Sequence, residues 1–225
     1  MKPILVVGDI HGKWDALFKK IDSFDLRDCT LICVGDLGVG FKDSHAKEIR
    51  ALQFASDFFA ARDIQFMSIR GNHDNPTFFN GEIQHFSNLR LLPDYTVETL
   101  DNKQFLFVGG AVSIDRTLRK QGVSYWKDEG FALDYAKIVR CDMLITHSAP
   151  TWNGPIEKNA MLTSFCERDL TLWDECMEER KQHDILIKLC GTKRHYCGHF
   201  HECLMSTVDD CTSTILDELQ ILEIR

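Results

Sequence analysis

Five times along this chain a compact polar cluster interrupts an apolar run, and that recurrence constrains the fold more than any other feature. The clusters are Gly8-Asp9-Ile10-His11-Gly12, Gly35-Asp36, Gly71-Asn72-His73-Asp74, Thr146-His147 and Gly198-His199-Phe200-His201. The runs ahead of them include Ile4-Leu5-Val6-Val7, Leu31-Ile32-Cys33-Val34, Phe66-Met67-Ser68-Ile69 and Met143-Leu144-Ile145. Short apolar, β-branched runs of this kind read as buried strands. In open α/β sheets, functional groups gather outside the carboxyl ends of strands. Residues far apart in sequence are therefore expected to converge.

The spacing between the runs points to helices. Trp14, Leu17, Phe18 and Ile21 recur at helical intervals, which predicts a helix over 14–21. A second helix is predicted over 44–61, with Ile49, Leu52, Ser56 and Phe59 on one face and Ser44 as its cap. This βαβαβ opening implies parallel strands with right-handed crossovers. The pattern then changes to short strands at 89–92, 95–100 and 105–108, with Asp101-Asn102-Lys103 as a hairpin loop. An irregular loop over 150–160 precedes a helix predicted over 164–180, where Ser164 and Glu167 fit a capping box. Strands return at 196–197, 203–208 and 221–224. Helices flanking two strand sets predict two sheets packed face to face with helices outside, in one domain spanning 1–225.

Composition narrows the functional class. At 225 residues the chain is long enough for one large α/β core. No run approaches the roughly 20 apolar residues of a membrane helix, and no charged-then-apolar signal pattern precedes Pro3-Ile4-Leu5. A cytoplasmic protein is expected. The nine cysteines are an odd number, include no C-x-x-C pair and partly sit in apolar runs, as at Cys33 and Cys190. Reduced, core-filling thiols are expected in place of a disulfide framework or a structural zinc site. A net charge of −8 argues against a dedicated nucleic-acid binder. Two local basic stretches stand out, Arg116, Arg119, Lys120 and Lys127 within 111–127, and Lys193-Arg194-His195.

The five clusters, in their order, resemble the motifs of the calcineurin-like metallophosphoesterase superfamily: D-x-H, G-D, G-N-H-D/E, a lone His and G-H-x-H. The resemblance runs from Lys2 to about Leu204 and implies a four-layer αββα sandwich. It also implies a dinuclear centre that hydrolyses phosphoesters. Two divalent ions about 3.5–4 Å apart neutralise phosphoryl oxygens and lower the pKa of a bridging water, so that hydroxide is available. By this resemblance Asp36 bridges the ions. Asp9, His11 and His201 hold one, while Asn72, His147 and His199 hold the other. Oxygen and imidazole donors suit Mn, Fe, Zn or Co better than Cu(I) or an iron–sulfur cluster. His73 matches the family's non-ligand histidine and is the candidate general acid. Asp74 is a candidate to orient His73 or raise its pKa, or else to cap the following segment.

A narrower likeness lies in Gly109-Gly110-Ala111-Val112-Ser113-Ile114-Asp115-Arg116, followed by Arg119, Gly122, Ser124, Trp126 and Glu129. It is similar to a bacterial and phage subgroup. The protein phosphatases of the superfamily follow G-D with an arginine that binds phosphate, whereas this chain continues Leu37-Gly38-Val39-Gly40. Arg119 and Arg116 are therefore candidates to hold a substrate oxygen, against an internal ion pair with Asp115 or Glu129 as the bland alternative. Trp126, Tyr125 and Trp152 are candidates for a pocket wall or for core. His45, His85 and His183 read as solvated, and His195 has no role assigned. The expected substrate is a small phosphorylated molecule or nucleotide. The alternatives are a nuclease or RNA-end-processing enzyme, a phosphoprotein phosphatase, and a non-catalytic scaffold. The scaffold is disfavoured because every ligand position is filled.

Overall fold

Three parallel strands and two crossover helices open the chain: β1 (Ile4–Val7), α1 (Trp14–Ser23), β2 (Cys29–Cys33), α2 (His45–Ala60) and β3 (Ile64–Ser68). A computed structural model describes residues 2–82, 86–155 and 157–224. Ser44 caps α2, its side chain accepting from the Lys47 N–H. The chain continues through β4 (Leu89–Leu91), the hairpin of β5 (Thr96–Leu100) and β6 (Lys103–Val108), and β7 (Met143–Thr146). Asp101 and Asn102, both at positive φ, make its two-residue turn. It closes with α3 (Ala160–Cys166), α4 (Leu172–Cys190), β8 (Arg194–Cys197), β9 (Leu204–Val208), β10 (Cys211–Ile215) and β11 (Ile221–Glu223).

Two sheets result, in the orders β11-β1-β2-β3-β4 and β5-β6-β7-β8-β10-β9. Only the edge strands β11, β5 and β9 run antiparallel to their neighbours. Alternation along the inner strands explains why they read as continuous apolar runs. In β1 and β2, Leu5, Val7, Leu31 and Cys33 face α1 and α2, joining Leu17, Leu52 and Phe59. Val6 and Ile32 face the other way and meet Phe105, Phe107 and Ile145 of the second sheet. On that sheet's far side Leu106 and Leu144 pack against Leu186, Ile187 and Cys190 of α4. The order of layers is therefore helix, sheet, sheet, helix, the αββα sandwich of the metallophosphoesterase type. Each fully buried Leu, Ile or Phe contributes roughly 1.5–3 kcal/mol.

Three expectations are corrected. The helix predicted over 164–180 is two helices broken at 167–171. Asn159 caps the first, accepting from the Leu162 N–H at 2.8 Å, so the Ser164–Glu167 pair makes no capping box. In the break, Asp169 accepts from both the N–H and the hydroxyl of Thr171. The second helix ends at Gly191, left-handed at φ 64°. His183 is fully buried: its Nδ1 lies 3.0 Å from the Glu179 carbonyl and its ring lies on Phe131. Burial pushes its pKa down to about 4. His45 is exposed as expected, and His85 lies outside the described residues. Strand β10 had no apolar run to announce it.

Candidate metal centre

All five clusters lie at or just beyond the ends of β1, β2, β3, β7 and β8, and the two sheets bring those ends together. Ligand atoms of Asp9, His11, Asp36 and His201 lie within 4.8 Å of one another. The Nε2 atoms of His11 and His201 are 3.0 Å apart, and His201 Nε2 is 3.1 Å from Asp9 Oδ2. Opposite them, Asn72 Oδ1 lies 3.1 Å from His147 Nε2 and 2.9 Å from His199 Nδ1. Asp36 stands between the sets, with Oδ1 3.2 Å from His147 Nε2 and Oδ2 3.7 Å from His11 Nε2. The seven expected residues thus lie together, with Asp9, His11 and His201 on one side of Asp36 and Asn72, His147 and His199 on the other.

The donor set fits divalent cations. Asp9 Oδ1 is buried and has no hydrogen-bond partner, an atom that needs a positive neighbour. The cluster offers oxygen and imidazole donors only. Second contacts aim the ligands. His147 Nδ1–H donates to the Val34 carbonyl at 2.9 Å, which turns Nε2 inward toward Asp36 and Asn72. Asn72 Nδ2 donates to Ser113 Oγ at 3.0 Å, which turns Oδ1 toward the centre.

The backbone is strained around these ligands. His11, Asp36, His199 and His201 all have positive φ, uncommon for residues with a side chain and typical of functional sites. Two glycines leave the room this requires. Gly35 has φ 111°, and a Cβ there would sit 2.3 Å from His147 Nδ1. A Cβ at Gly198 would sit 2.0 Å from Asp9 Oδ1.

Electrostatics follow from crowding. Burial raises the Asp36 carboxyl, but His147, His73 and His11 around it hold it well below the usual carboxylate range. Burial likewise disfavours charged His147, yet Asp36 and Asp9 raise it to about 10. His199, buried beside His147, is driven well below its ordinary value.

The remaining expected residues divide. His73 borders the centre, its ring 5.1 Å from that of His11. Its Nδ1 accepts from Arg119 Nη2 at 2.9 Å, so in the neutral ring Nε2 carries the proton. Burial, together with the Arg119 charge, lowers its pKa despite Asp36. Arg119 also donates to the Asn72 carbonyl at 3.2 Å and to Ser113, and lies 3.4 Å from Glu129. The internal pairing thus exists, and it leads to the centre through His73. Arg116 turns elsewhere: Asp169 and Glu175 occupy its guanidinium. Asp74 directs its carboxylate at the backbone, accepting from the N–H groups of Leu37, Gly38, Val39 and Gly71. Burial and the Asp36 charge push it up to about 7.

Other contacts had no sequence signal. Glu218 Oε1 lies 3.6 Å from His201 Nδ1, in a loop that belongs to none of the clusters. Ser113 was visible only as a letter in a motif. The aromatic wall beside the centre is Phe165, Trp173 and Phe200. Trp126 packs against Phe41 and Trp152 against the α4 core instead. His195 is buried between Thr146 and Ser213.

An αββα sandwich with this donor cluster at its strand ends defines a metal-dependent hydrolase. The sequence matches the calcineurin-like phosphoesterase family over residues 2–203, and the chain belongs to that family of metallophosphoesterases. Among solved structures it is similar to TT1561 of Thermus thermophilus, at 13% identity and a TM-score of 0.56, covering 97% of this chain and 90% of that one. It is also similar to an archaeal phosphodiesterase, at 14% identity, 98% of both chains and a TM-score of 0.44. A phosphopantetheinyl hydrolase from Mycobacterium tuberculosis matches at 14% identity, 96% and 90% coverage and a TM-score of 0.47. No curated protein sequence matches the chain. Among the described residues, no helix is long and apolar enough to cross a membrane.

Proposed function

We propose that this chain hydrolyses the phosphoester of a small phosphorylated molecule or nucleotide at a centre of two divalent ions, which Asp36 would serve in common. The observation that carries this reading is the Asp36 carboxylate, with one oxygen turned to His147 and the other to His11. Asp9, His11 and His201 would complete one ion's ligands, and Asn72, His147 and His199 the other's. Manganese is the first candidate, with iron, zinc or cobalt as alternatives. When bound, the ions supply Lewis acidity and neutralise charge on the phosphoryl group.

The chain's own residues handle orientation and the charge on the leaving group. Arg119 holds His73 through Nδ1 and fixes the tautomer with Nε2–H free to donate. The His73 Nε2–H then hydrogen-bonds the departing ester oxygen as negative charge develops there, and water supplies the proton that oxygen finally takes. Arg119 thus acts on substrate through His73, and Arg116 fixes the turn between α3 and α4. Asp74 is a positioning residue that gathers the backbone beside Asp36 and Asn72. The net charge of −8 disfavours a nucleic-acid substrate. The reading extends to a cytoplasmic location, which nine free thiols favour.

The test is hydrolysis of mono- and bis-nitrophenyl phosphate by chelator-treated protein before and after addition of Mn, Zn or Co. Activity should be absent before and restored after. Full turnover by verified metal-free protein refutes the reading.

A further inference from the structure

The ligand cluster forms one wall of a chamber of about 390 Å³. Asp36, Asn72, His73, His199 and His201 line its inner side. Facing them are Met161, Leu162 and Phe165 of α3, Trp173 and Met177 of α4, and Phe200. The three α3 side chains fall at i, i+1 and i+4, so they share one helix face. That helix has seven residues and buries none of them, and Met161 is 57% exposed. Seven residues are too few for a helix to stand alone, so tethers must hold it. Asn159 caps it, and Arg116 binds Asp169 and Glu175 just beyond it. Arg180 donates to the carbonyls of Pro150, Thr151, Asn153 and Pro155 in the loop before it. The same guanidinium sits 5.4 Å from the centre of the Phe200 ring. An apolar wall is thus anchored by ion pairs and carbonyl contacts, with its greasy face turned to the reacting centre.

Charge sorts what fits there. Asp115, Glu157 and Glu202 also line the chamber. Arg180 is the one arginine or lysine among the described lining residues, and four carbonyls already take its donors. A second phosphate or carboxylate on the substrate would meet carboxylates and no free cation. An aromatic or aliphatic group would bury surface on both itself and the wall.

We propose that this centre takes a phosphoester whose organic half is an apolar aryl or alkyl group, seated against α3, Trp173 and Phe200, with no second anionic group. The proposal rests on the phosphoesterase reading above and narrows its substrate class.

Non-hydrolysable phosphonates separate the two. Calorimetry on manganese-loaded protein compares 2-phenylethylphosphonate, ethylphosphonate and 2-carboxyethylphosphonate. The phenyl compound should bind roughly ten-fold tighter than the ethyl one, as burial of on the order of 60 Å² of apolar surface supplies. The carboxylate compound should bind more weakly than either. The double variant Phe165→Ser/Trp173→Ser should lose the preference for phenyl over ethyl. Met161→Ser, at an exposed position that the fold tolerates, should reduce it. Equal affinity for the phenyl and ethyl compounds overturns the proposal even if nitrophenyl esters are hydrolysed. An unchanged preference in both variants overturns it as well. Absence of hydrolysis with every metal, beside an intact phenyl preference, refutes the phosphoesterase reading and with it the assignment of the chamber to a substrate.

Discussion

Replacing Asp74 with asparagine tests how the centre is held together. Asp74 is fully buried, and its two oxygens take four backbone N–H groups. Oδ2 accepts from Leu37 at 3.1 Å and Gly71 at 2.8 Å, and Oδ1 from Gly38 at 2.8 Å and Val39 at 3.0 Å. Asparagine keeps one oxygen and can satisfy one pair. Its NH2 then faces the other two donors, and nothing replaces their partner. A buried donor left unsatisfied costs about 1–3 kcal/mol, so two cost about 2–6 kcal/mol. One effect opposes this. Burial and Asp36 push the Asp74 pKa up to about 7, and a neutral side chain relieves part of that penalty. We therefore expect Asp74→Asn to lose roughly 2–4 kcal/mol, within the range of a broken buried network. Urea unfolding of metal-free protein measures it as a lower midpoint at unchanged slope. The same four bonds fix the backbone just after Asp36 and just before Asn72, so metal affinity should fall too. An Asp74→Asn protein with the wild-type midpoint and metal affinity would refute the reasoning.

Other outcomes concern chemistry and pH. His73→Asn should keep both metals and lower kcat by on the order of 10²-fold on alkyl esters, but much less on nitrophenyl esters, whose leaving group spreads its own charge. Steady-state kinetics showing equal losses on both would count against a role at the leaving oxygen. Arg119→Lys should lower kcat/KM ten-fold or more at constant metal content, because a charged hydrogen bond is worth about 1.5–3 kcal/mol and an ammonium cannot reproduce the fork. Wild-type kinetics in that variant would show that Arg119 does not act through His73. Glu179 is raised to about 7 by burial, so the folded chain holds a proton that the unfolded chain releases near 4.5. Its contribution therefore declines as pH rises from about 4.5 to 7. Glu179→Gln should gain on wild type across that window, by on the order of 3 kcal/mol at the top. A stability difference that stays constant with pH would contradict it.

The centre was legible because its parts are short and ordered. Each ligand cluster sits directly behind an apolar strand, and parallel sheets deliver strand ends to one edge. The helical chamber was not legible, for physical reasons. Around Glu179, Arg180 and His183 the sequence of α4 is almost wholly polar, so the reading there is a solvated face. Burial at those positions depends on distant partners: the carbonyls of the 150–155 loop for Arg180 and Phe131 for His183. Strand β10 was hidden for a similar reason. Its Thr and Ser positions are small and polar, and Ser213 is buried only because His195 and Asn153 bond to it. Arg119 lay between. Its position in a motif was visible, but its contact with His73 spans 46 residues of sequence.

The central claim is that two ions share one carboxylate. The direct measurement is metal content per chain, by elemental analysis after dialysis, for wild type, His201→Ala and Asp36→Asn. Wild type should hold two ions. His201→Ala should weaken chiefly one, since its imidazole faces only the Asp9 and His11 side. Asp36→Asn should lose the most, because both sets face its charge. Two tightly held ions in Asp36→Asn would contradict the account.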